Sequence, residues 1–478
     1  MASPSHRSTP SSTHRSTPSS TPGSTPGSTP RSTPRPSHRR SLRGRRTVVV
    51  TAAVAAAGVG AGVLVLNANA GPVDLYHQSL PAKDGWAASG SGTTGGAKAD
   101  SAHTFTVSTR AQLVKALGSV TDTTPRIIKV KGTIDANTSD TGKKLTCADY
   151  ASGTGYSLSA YLKAYDPATY GKKAPAGGQE NARKAAADQQ KKNIVFRVPA
   201  NTTIVGVPGT GAGIRGGSLQ VQNVKNVIVR NLAFSATEDC FPQWDPTDGS
   251  AGEWNSAYDS VTLRGATNVW ADHNTFTDAP TFDKSLKTYF GRKYQIHDGA
   301  LDITNGSDLV TVERNVFDCH DKTMLIGSSD TDSTGKLRVT LHHNVWKGIV
   351  QRAPLARIGQ IHLYNNLYDT TTLNGYTPKY SIDSRAKAQV VAEHNAWKLP
   401  SGAKAAKLLS GDGTGSIAGT GNLVNGTSTD LVAAYNAANS KKIKTTVNWK
   451  PTLTAGLQTS AKNLATELAA TTGAGVLK

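Results

Sequence analysis

A short motif, Asn-x-aromatic, ends five β-type segments and constrains the fold more than any other feature of the chain. Each segment opens with alternating apolar residues, the period of a half-buried strand. The five segments are Val269–Phe276, Val310–Phe317, Val339–Trp346, Ile361–Tyr368 and Val390–Trp397, and a looser copy, Val227–Phe234, precedes them. The motif asparagines are 22 to 41 residues apart, and repeats of this length are typical of a solenoid.

The repeat also predicts how the motif is used. The recurring asparagines are Asn274, Asn315, Asn344, Asn366 and Asn395. In strands stacked in parallel each Asn lies above the last, so the amides pair along the stack, at turns where Asn tolerates left-handed geometry. The aromatic residue two positions on points inward and stacks as well. Unrelated strands ending in Asn would explain one or two matches, not five. We therefore predict an all-β fold, a right-handed single-stranded parallel β-helix with long loops and short capping helices.

The net positive charge indicates an anionic partner but does not identify its class. The formal net charge is +20, and the nine arginines of residues 1–46, which contain no acidic residue, leave +11 on the rest of the chain. A basic surface suits nucleic acid, an anionic membrane or an acidic polysaccharide. Zinc-ligand spacings and phosphate-binding loops are absent from the sequence. The cysteines, Cys147, Cys240 and Cys319, allow at most one disulfide. We expect a buried free thiol at each, because a long solenoid needs no covalent cross-link.

The N-terminal region has the composition of a leader. Residues 1–46 form a basic Ser/Thr/Pro segment that we predict to be disordered. Residues 47–70 are apolar and end in Ala-x-Ala, which predicts a secretory signal cleaved after Ala70. A retained anchor is the alternative, and Arg39-Arg40 matches a twin-arginine signal poorly. We assign 71–478 to one β-helix domain that carries any catalytic function.

Within that domain the pattern predicts where the rungs lie. Thr109–Leu117 is expected to be a short helix, and Arg126–Thr133 the first strand of the solenoid. Asp135–Lys192 is polar and rich in Ala and Lys, which indicates a long insertion with one helix. The rungs are expected to continue to Leu399. Ser460–Thr471 has apolar residues at helical spacing and is expected to cover an end or a flank of the stack.

Candidate metal ligands lie in acidic stretches on the loops, namely Asp248, Asp259, Asp298 and Asp302. In a straight strand Asp298 and Asp302 would be roughly 13 Å apart, too far for one ion, but Gly299 permits a bend between them. Carboxylates without Cys or His partners suit Ca²⁺, which takes six to eight oxygen ligands. The alternative is that these are turn or ion-paired aspartates, and spacing alone favours that alternative.

Cationic residues form the counterpart. Arg352 and Arg357 flank Pro354, which interrupts strand pairing and makes a rigid kink, and Lys322 lies one rung earlier. Two guanidinium groups and an ammonium beside a bound cation would form a carboxylate-binding surface. A solvated or ion-paired basic turn is the alternative.

These residues carry a resemblance to the pectate lyases, the calcium-dependent β-helix family that cleaves polygalacturonate by β-elimination. The matching motifs lie in the family's order between Gly95 and Leu399. They are Gly95-Gly96-Ala97, Val130–Ile134, Asn201–Gly206, Trp270–His273, His297-Asp298-Gly299, Leu341–Asn344 and Arg352-x-Pro354-x-x-Arg357. Ala271 departs from the family, which usually has Ile or Val there, and the change concerns packing rather than chemistry.

The resemblance implies a role for each site residue. The calcium ligands would be Asp259, Asp298 and Asp302, and Asp248 would hold a further ion beside the substrate. Arg352 occupies the position of the family's catalytic base. Lys322 and Arg357 match its contacts to substrate carboxylates. The histidines His273, His342 and His343 would be structural, although their motifs look catalytic.

The resemblance also implies a secreted, extracellular enzyme that cleaves de-esterified polygalacturonate to 4,5-unsaturated oligogalacturonides. We expect Ca²⁺ as cofactor, an acidic polysaccharide as partner, no nucleic acid, no membrane after signal removal, and a monomer. One alternative is a β-helix polygalacturonase in which Asp298 and Asp302 act as acid and base for hydrolysis. A pectin lyase without calcium and a non-catalytic adhesin are the others.

Overall fold

The computed structural model describes residues 74–332 and 335–478, and in this part of the chain the strands form three parallel sheets. The first sheet contains Thr104–Val107, Arg126–Val130, Thr202–Gly206, Lys225–Arg230, Thr267–Asp272, Asp308–Glu313, Arg338–His342, Gln360–Tyr364, Gln389–Glu393 and Ser416–Thr420. The second contains Val195–Arg197, Ser218–Gln222, Val261–Arg264, Leu301–Thr304, Leu325–Ile326, Leu355–Arg357, Ile382–Arg385 and Leu409–Gly411. The third contains Thr133–Asp135, Gly213–Arg215, Ala233–Ser235, Thr275–Thr277, Val316–Lys322, Val345–Gln351, Leu367–Asp369, Ala396–Lys398, Leu423–Val424 and, antiparallel to the last of these, Thr427–Ser428.

Each rung passes through the second, first and third sheets in turn. One rung runs through Val261–Arg264, Thr267–Asp272 and Thr275–Thr277, and the next begins at Leu301–Thr304. The strands pair in parallel with their equivalents one rung away, so that Val269 lies opposite Val310. Alternate side chains point inward and form one continuous core. The predicted parallel β-helix is confirmed.

The asparagines pair along the stack as predicted. The side-chain amide of Asn315 donates to Oδ1 of Asn344 at 3.1 Å, and the amide of Asn344 donates to Asn366 at 3.0 Å. The ladder has one member beyond the sequence motif, because Asn395 donates to Asn422 at 3.2 Å. These side chains are buried, so the ladder satisfies amides that would otherwise be costly to remove from water.

The left-handed residue of each turn is not the ladder asparagine, and this part of the prediction is wrong. The residue before it has the positive φ, between 49° and 53° at His273, Arg314, His343, Asn365 and His394. A left-handed residue at that position redirects the chain into the third sheet while the ladder Asn keeps its amide in line with the stack.

The aromatic residues stack inside the third sheet, which confirms the second expectation from the motif. Phe276 and Phe317 have ring centroids 4.9 Å apart and planes 6° from parallel. Phe317 and Trp346 are 4.2 Å apart, and Tyr368 and Trp397 are 4.6 Å apart. The motif therefore builds two parallel ladders, one polar and one aromatic.

The two ends of the solenoid differ from the predictions. Thr104–Val107 precedes Arg126–Val130 in the first sheet, so Arg126–Thr133 is not the first strand. The rungs also continue beyond Leu399 to Ser416–Thr420. Both strands lack the Asn-x-aromatic ending, and terminal strands therefore escape a search based on it.

The insertion has more helix than predicted. The α-helices of the described chain are Arg110–Leu117, Cys147–Ala151, Leu158–Ala164, Pro167–Tyr170, Gly178–Ile194, Leu431–Ala438 and Leu464–Thr471, and the 3-10 turns are Trp86–Ala88, Ser101–His103, Asp283–Ser285 and Ala405–Lys407. Four of the α-helices lie in or at the end of the predicted insertion, where one was expected. None of the helices in the described residues is long and apolar enough to cross a membrane.

Two short hairpins complete the described strands, Gln243–Asp245 with Glu253–Asn255 and Thr288–Tyr289 with Arg292–Lys293. The helix Leu464–Thr471 buries Leu464 and Leu468 against Leu367 of the third sheet. The expected cover of a flank by a C-terminal helix is therefore confirmed.

The cysteine prediction is wrong for two of the three residues. Cys147 and Cys240 form a disulfide, and Cys319 is a buried free thiol. The bond links the helix Cys147–Ala151 of the insertion to the segment before the first hairpin. These connections lie outside the repeating rungs, where ladder hydrogen bonds do not hold the chain, so the argument from the solenoid did not apply to them.

Candidate active site

The candidate site lies where strands of the third sheet connect to the second. Lys322 ends the strand Val316–Lys322, and Arg352 directly follows Val345–Gln351. Lys322 lies opposite Gln351 in the parallel register, so Lys322 and Arg352 belong to neighbouring rungs. Asp302 lies on a strand of the second sheet. The stack therefore brings together residues that are up to 93 positions apart in the sequence, from Asp259 to Arg352.

Asp259 and Asp302 converge above Gly299. The backbone N–H of Gly299 donates to Oδ1 of Asp259 at 2.8 Å. A Cβ at Gly299 would lie 2.7 Å from that oxygen and 2.6 Å from Oδ1 of Asp302. The backbone N–H of Leu325 also donates to Asp302 Oδ1 at 2.9 Å. Glycine thus leaves open a space bordered by one oxygen of each carboxylate, where one ion could contact both groups.

The electrostatics of this pair call for a cation. Burial, together with the charge of Asp298, raises the pKa of Asp259 to about 7. Burial and the charges of Asp259 and Asp298 raise the pKa of Asp302 well above its usual range. Carboxylates in this state either hold protons or share a positive ion. The all-oxygen donor set, including the half-buried Asp298, fits Ca²⁺.

A buried pair of one histidine and one aspartate, His320 and Asp278, lies next to Asp298. His320 contacts Asp278 through Nδ1 and donates from Nε2 to the backbone oxygen of Asp298 at 2.8 Å. Burial opposes a charge on the ring, but the carboxylate of Asp278 outweighs it and raises the pKa of His320 to about 9. The imidazolium therefore holds the backbone of Asp298 in place. The sequence shows His320 beside Lys322, but nothing in it links Asp278 to either.

Lys322 lies beside the acidic group formed by Asp259, Asp298 and Asp302. Its ammonium nitrogen is 3.8 Å from Oδ1 of Asp298. The Asp298 side chain is 32% exposed, so the pair borders solvent, and an incoming carboxylate can reach the ammonium group. Lys322 is therefore placed to contact both the acidic group and an anionic ligand.

Arg352 sits in a left-handed backbone conformation with φ of 61°. Its carbonyl accepts from the backbone N–H of Met324 at 2.7 Å, and its buried Nε has no hydrogen-bond partner among the described residues. A non-glycine residue in this region costs of order 1–3 kcal/mol and marks a position that the surroundings over-determine. The backbone of Arg352 is therefore fixed, and its guanidinium lines the groove with hydrogen-bonding capacity to spare.

One groove of about 410 Å³ contains the cations together with Asp248. Lys322, Arg352 and Asp248 all line it, and Asp283, Arg292 and Lys379 line it as well. Asp248 is exposed and comes from the loop of the first hairpin. Asp283, Arg292 and Lys379 were not found from the sequence, because their loops carry no repeat that fixes their position relative to the rungs.

Arg357 is not among the residues that line this groove. Its Nε donates to Oδ1 of Asp330 at 3.0 Å, and Nη1 donates to the backbone oxygen of Gly327 at 3.2 Å. Asp330 is largely exposed, so this ion pair is accessible to competing anions. The structure thus brings Arg357 to the neighbouring rung but pairs it within the protein.

The histidines of the motifs Trp270–His273 and Leu341–Asn344 lie outside the groove. His342 ends a strand of the first sheet, and His273 and His343 occupy the left-handed turn positions that follow strands of that sheet. None of the three lines the groove. Their position agrees with a structural role.

Fold and site together define a class of protein: a parallel β-helix with buried carboxylates next to a groove that lysine and arginine line, an arrangement suited to an anionic polymer. The family model described as "Pectate lyase" matches residues 163–477. A pectate lyase from Bacillus subtilis (strain 168) is 46% identical over 414 residues, covering 86% of this chain and 96% of that protein. Pectate lyase D from Dickeya chrysanthemi is 37% identical over 322 residues, covering 66% and 70% respectively.

Solved structures give the same result. A pectate lyase bound to a hexasaccharide superposes with a TM-score of 0.80 at 44% identity, covering 85% of this chain and 100% of that one. A thermostable pectate lyase superposes with a TM-score of 0.82 at 43% identity and the same coverage. The chain belongs to the pectate lyase family and is a polysaccharide lyase.

Proposed function

We propose that this chain cleaves de-esterified polygalacturonate by calcium-assisted β-elimination and releases 4,5-unsaturated oligogalacturonides. The observation that carries the proposal is the approach of Asp259 to Asp302 at Gly299, with Asp298 3.8 Å from Lys322, which lines one groove together with Arg352. Carboxylates alone would repel a polyanion, and cations alone would bind it without a site for a metal. A related pectate lyase holds a hexasaccharide, which supports an extended sugar polymer as the ligand.

Calcium would be held by Asp259, Asp298 and Asp302, and when bound it would neutralise the uronate carboxylate and stabilise the enolate-like charge that develops next to it. Asp248, on the groove wall, would hold a further ion beside the substrate. Lys322 lies at the border of the acidic group and would pair with the same uronate carboxylate. Its ammonium group is a compact charge on a flexible stem and can follow the substrate as the charge develops.

Arg352 would remove the proton from C5 of the uronate. A guanidinium ordinarily keeps its proton beyond pH 12, so the reactive form is the neutral guanidine. Arg352 lines the groove, and its Nε has no hydrogen-bond partner among the described residues. Alkaline solution supplies more of the neutral form, and we expect the rate to rise with pH.

Arg357 would contact a second uronate carboxylate by exchanging its partner. Its present partner, Asp330, is an exposed carboxylate, and such pairs contribute little in water. A substrate carboxylate can replace Asp330 on the guanidinium with little loss of free energy. The contact would hold the chain of sugars in register over Arg352.

We also propose that the protein is secreted and acts as an extracellular monomer, with no nucleic-acid or membrane partner after signal removal. Its catalytic domain would be 71–478. Pectate lyases generally act outside the cell, and the disulfide between Cys147 and Cys240 is typical of an oxidising compartment. The predicted leader, 1–46, and the signal region, 47–70, lie outside the described residues.

The direct test is an assay on polygalacturonate with and without exhaustive chelation, read by the ultraviolet absorbance of the unsaturated product. We expect absorbance to rise with Ca²⁺ present, to stop after chelation, and to return when Ca²⁺ is restored. Full activity in metal-free buffer would contradict the calcium assignment. New reducing ends without ultraviolet absorbance would indicate hydrolysis by Asp298 and Asp302. No cleavage at all would indicate a binding protein.

A further inference from the structure

A second cluster of possible metal ligands lies on the first sheet, away from the groove. It consists of Asp84, Glu313 and His342, whose ligand atoms lie within 4.8 Å of one another. Glu313 and His342 end neighbouring strands of the first sheet. Asp84 belongs to an N-terminal strap, Leu80–Ala88, that crosses the outside of this sheet. None of the three residues lines the groove.

The histidine points an unsatisfied nitrogen into the cluster. His342 is 1% exposed, and its Nε2 has no hydrogen-bond partner among the described residues. That nitrogen is 3.3 Å from Oδ1 of Asp84 and 3.5 Å from Oε2 of Glu313. The other ring nitrogen, Nδ1, is 2.9 Å from Nδ1 of His343. When His342 donates in that contact, Nε2 presents a lone pair to two carboxylate oxygens, an arrangement that a proton or a cation between them would stabilise.

The distances fit a tetrahedral metal ion. Zinc bonds to nitrogen and carboxylate oxygen are about 2.0–2.1 Å long, so neighbouring ligand atoms in a tetrahedron are about 3.3–3.4 Å apart. The two measured distances from His342 Nε2 match this edge. An imidazole ligand favours zinc and similar transition metals over Ca²⁺, which takes oxygen.

Neighbouring groups hold the three side chains in this orientation. The indole N–H of Trp270 donates to Oε1 of Glu313 at 2.6 Å, which leaves Oε2 free. The ring of His342 stacks on Tyr364 with planes 6° from parallel. A Cβ at Gly456 would lie 3.2 Å from Asp84 Oδ1 and 3.4 Å from the Tyr364 hydroxyl. Glycine therefore leaves room beside the cluster for a fourth, small ligand such as water.

The local charge also favours a bound cation. Asp84 and Glu313 are both acidic, and Arg314 is the cation that acts on both of them. The nearby Asp272 is already paired with Arg230, with Nη2 and Oδ2 2.6 Å apart. Two buried carboxylates beside one guanidinium leave one negative charge to be balanced by a proton or by a metal ion.

We propose that Asp84, Glu313 and His342 hold one zinc-class divalent ion with a structural role. The ion fastens the N-terminal strap to the first sheet. The strap also pairs with the C-terminal segment, because Gly85 N–H donates to Leu453 O at 3.0 Å and Ala455 N–H donates to Lys83 O at 2.9 Å. One ion thus fastens the strap to the rungs, and the C-terminal segment is held through the strap. The site is separate from the proposed calcium ligands.

The test is a titration of metal-stripped wild-type protein with Co²⁺ while saturating Ca²⁺ occupies the groove site. We expect one equivalent of Co²⁺ with the visible absorption of a tetrahedral site, displaced by Zn²⁺. Asp84→Asn and His342→Gln should each weaken binding by at least about tenfold. His362→Gln, which removes a neighbouring buried histidine paired with Glu393, is the matched control and should keep the affinity. Asp298→Asn should keep it as well.

A second readout does not depend on the spectrum. Zn²⁺ should raise the thermal unfolding midpoint of wild type and of His362→Gln, and should not raise that of His342→Gln. X-ray absorption at the zinc edge of the wild-type protein should show one imidazole among oxygen ligands, which tests the site even where a variant does not fold. If the wild type binds neither Co²⁺ nor Zn²⁺, the proposal is wrong. The cluster would then be an imidazole N–H shared between two carboxylates. Binding that survives in both ligand variants, or that is lost in Asp298→Asn, would overturn it too.

Discussion

Asp259 and Asp302 meet over Gly299, and the position of these two carboxyl groups makes the acidic group sensitive to pH. In the metal-free protein burial raises the pKa of Asp259 to about 7, above its unfolded value of about 3.9. The protonated form is therefore compatible with folding, and stability falls as pH rises through about 7, where this carboxyl must ionise while buried. A bound Ca²⁺ would reverse that loss.

We therefore predict that Ca²⁺ affinity increases between pH about 6 and about 8, because protons and Ca²⁺ compete for Asp259. Calorimetry in two buffers of different ionisation enthalpy measures both the affinity and the protons released. Asp248→Asn is a suitable comparison, because Asp248 is exposed and should leave this pH dependence in place. An affinity independent of pH over this range would exclude Asp259 as a ligand.

At Arg352 we predict that Arg352→Ala lowers the rate on polygalacturonate more than tenfold, a loss above about 1.4 kcal/mol of transition-state stabilisation. The fold and Ca²⁺ affinity should be nearly unchanged. Arg352→Lys should also be impaired, because an ammonium group has a shorter reach and a different geometry. Steady-state rates, circular dichroism and Ca²⁺ titration measure the three quantities.

Arg338→Ala is the control for that series. Arg338 pairs with Asp308 on the first sheet, outside the groove, so its removal should leave the catalytic rate close to wild type. More than about a tenth of the wild-type rate in Arg352→Ala, a loss below 1.4 kcal/mol, would mean that another residue is the base.

At the scale of elements, the rungs and the insertion are stabilised by different means. Rungs are held by strand pairing and by the two ladders, of which Asn315 and Phe317 are typical members. The insertion is held by tertiary contacts, such as the aromatic cluster of Tyr161, Trp244 and Trp254, and by the disulfide. Short helices depend on such packing because few are stable alone.

We predict that Cys147→Ser/Cys240→Ser lowers the free energy of unfolding by about 2–4 kcal/mol, because the disulfide closes a loop of 93 residues. Denaturant unfolding with and without reductant measures the effect. Reduced wild type should match the double variant. Cys319→Ser should respond to reductant as wild type does, because Cys319 is unpaired. If reductant left the free energy of unfolding of the wild type unchanged, a stabilising role for this bond would be contradicted.

At the scale of the whole molecule, the basic chain presents an acidic group next to the groove that Lys322 and Arg352 line. Without calcium, the carboxylates of Asp259, Asp298 and Asp302 repel a polyanion. In the proposed mechanism, bound calcium would let them attract free uronate carboxylates, and Lys322 would pair with the same groups. Methyl esterification removes both the charge and a strong oxygen ligand from each sugar.

We therefore predict faster cleavage of low-ester pectate than of high-ester pectin, with the largest preference at alkaline pH. Initial rates on the two polymers, at equal uronate concentration and saturating Ca²⁺, measure this. Rates on both should be compared again in Lys322→Ala, which should lose rate chiefly on the low-ester polymer. A faster rate on the high-ester polymer would mean that the aspartates do not bridge to the substrate, as in a pectin lyase.

The sequence by itself determined the repeating part of the molecule. Alternating apolar residues, a turn and an Asn-x-aromatic ending are local signals, and Asn344 or Trp346 takes the same place in each rung because stacking repeats one environment. The proximity of Lys322 and Arg352 could be predicted for the same reason, since both lie at rung ends whose register the repeat predicts, but the role of Arg352 as base came from the resemblance to the family.

Only the tertiary structure decided which unlike segments meet. The approach of Asp259 to Asp302 depends on the missing side chain of Gly299, and the pairing of Arg357 with Asp330 depends on a loop without a repeat. Cys147 reaches Cys240, and Asp84 reaches His342, across long stretches of chain that no local pattern relates. These contacts depend on how loops of unlike length fold over the rungs, and that is settled by long-range packing rather than by the periodicity of any one segment.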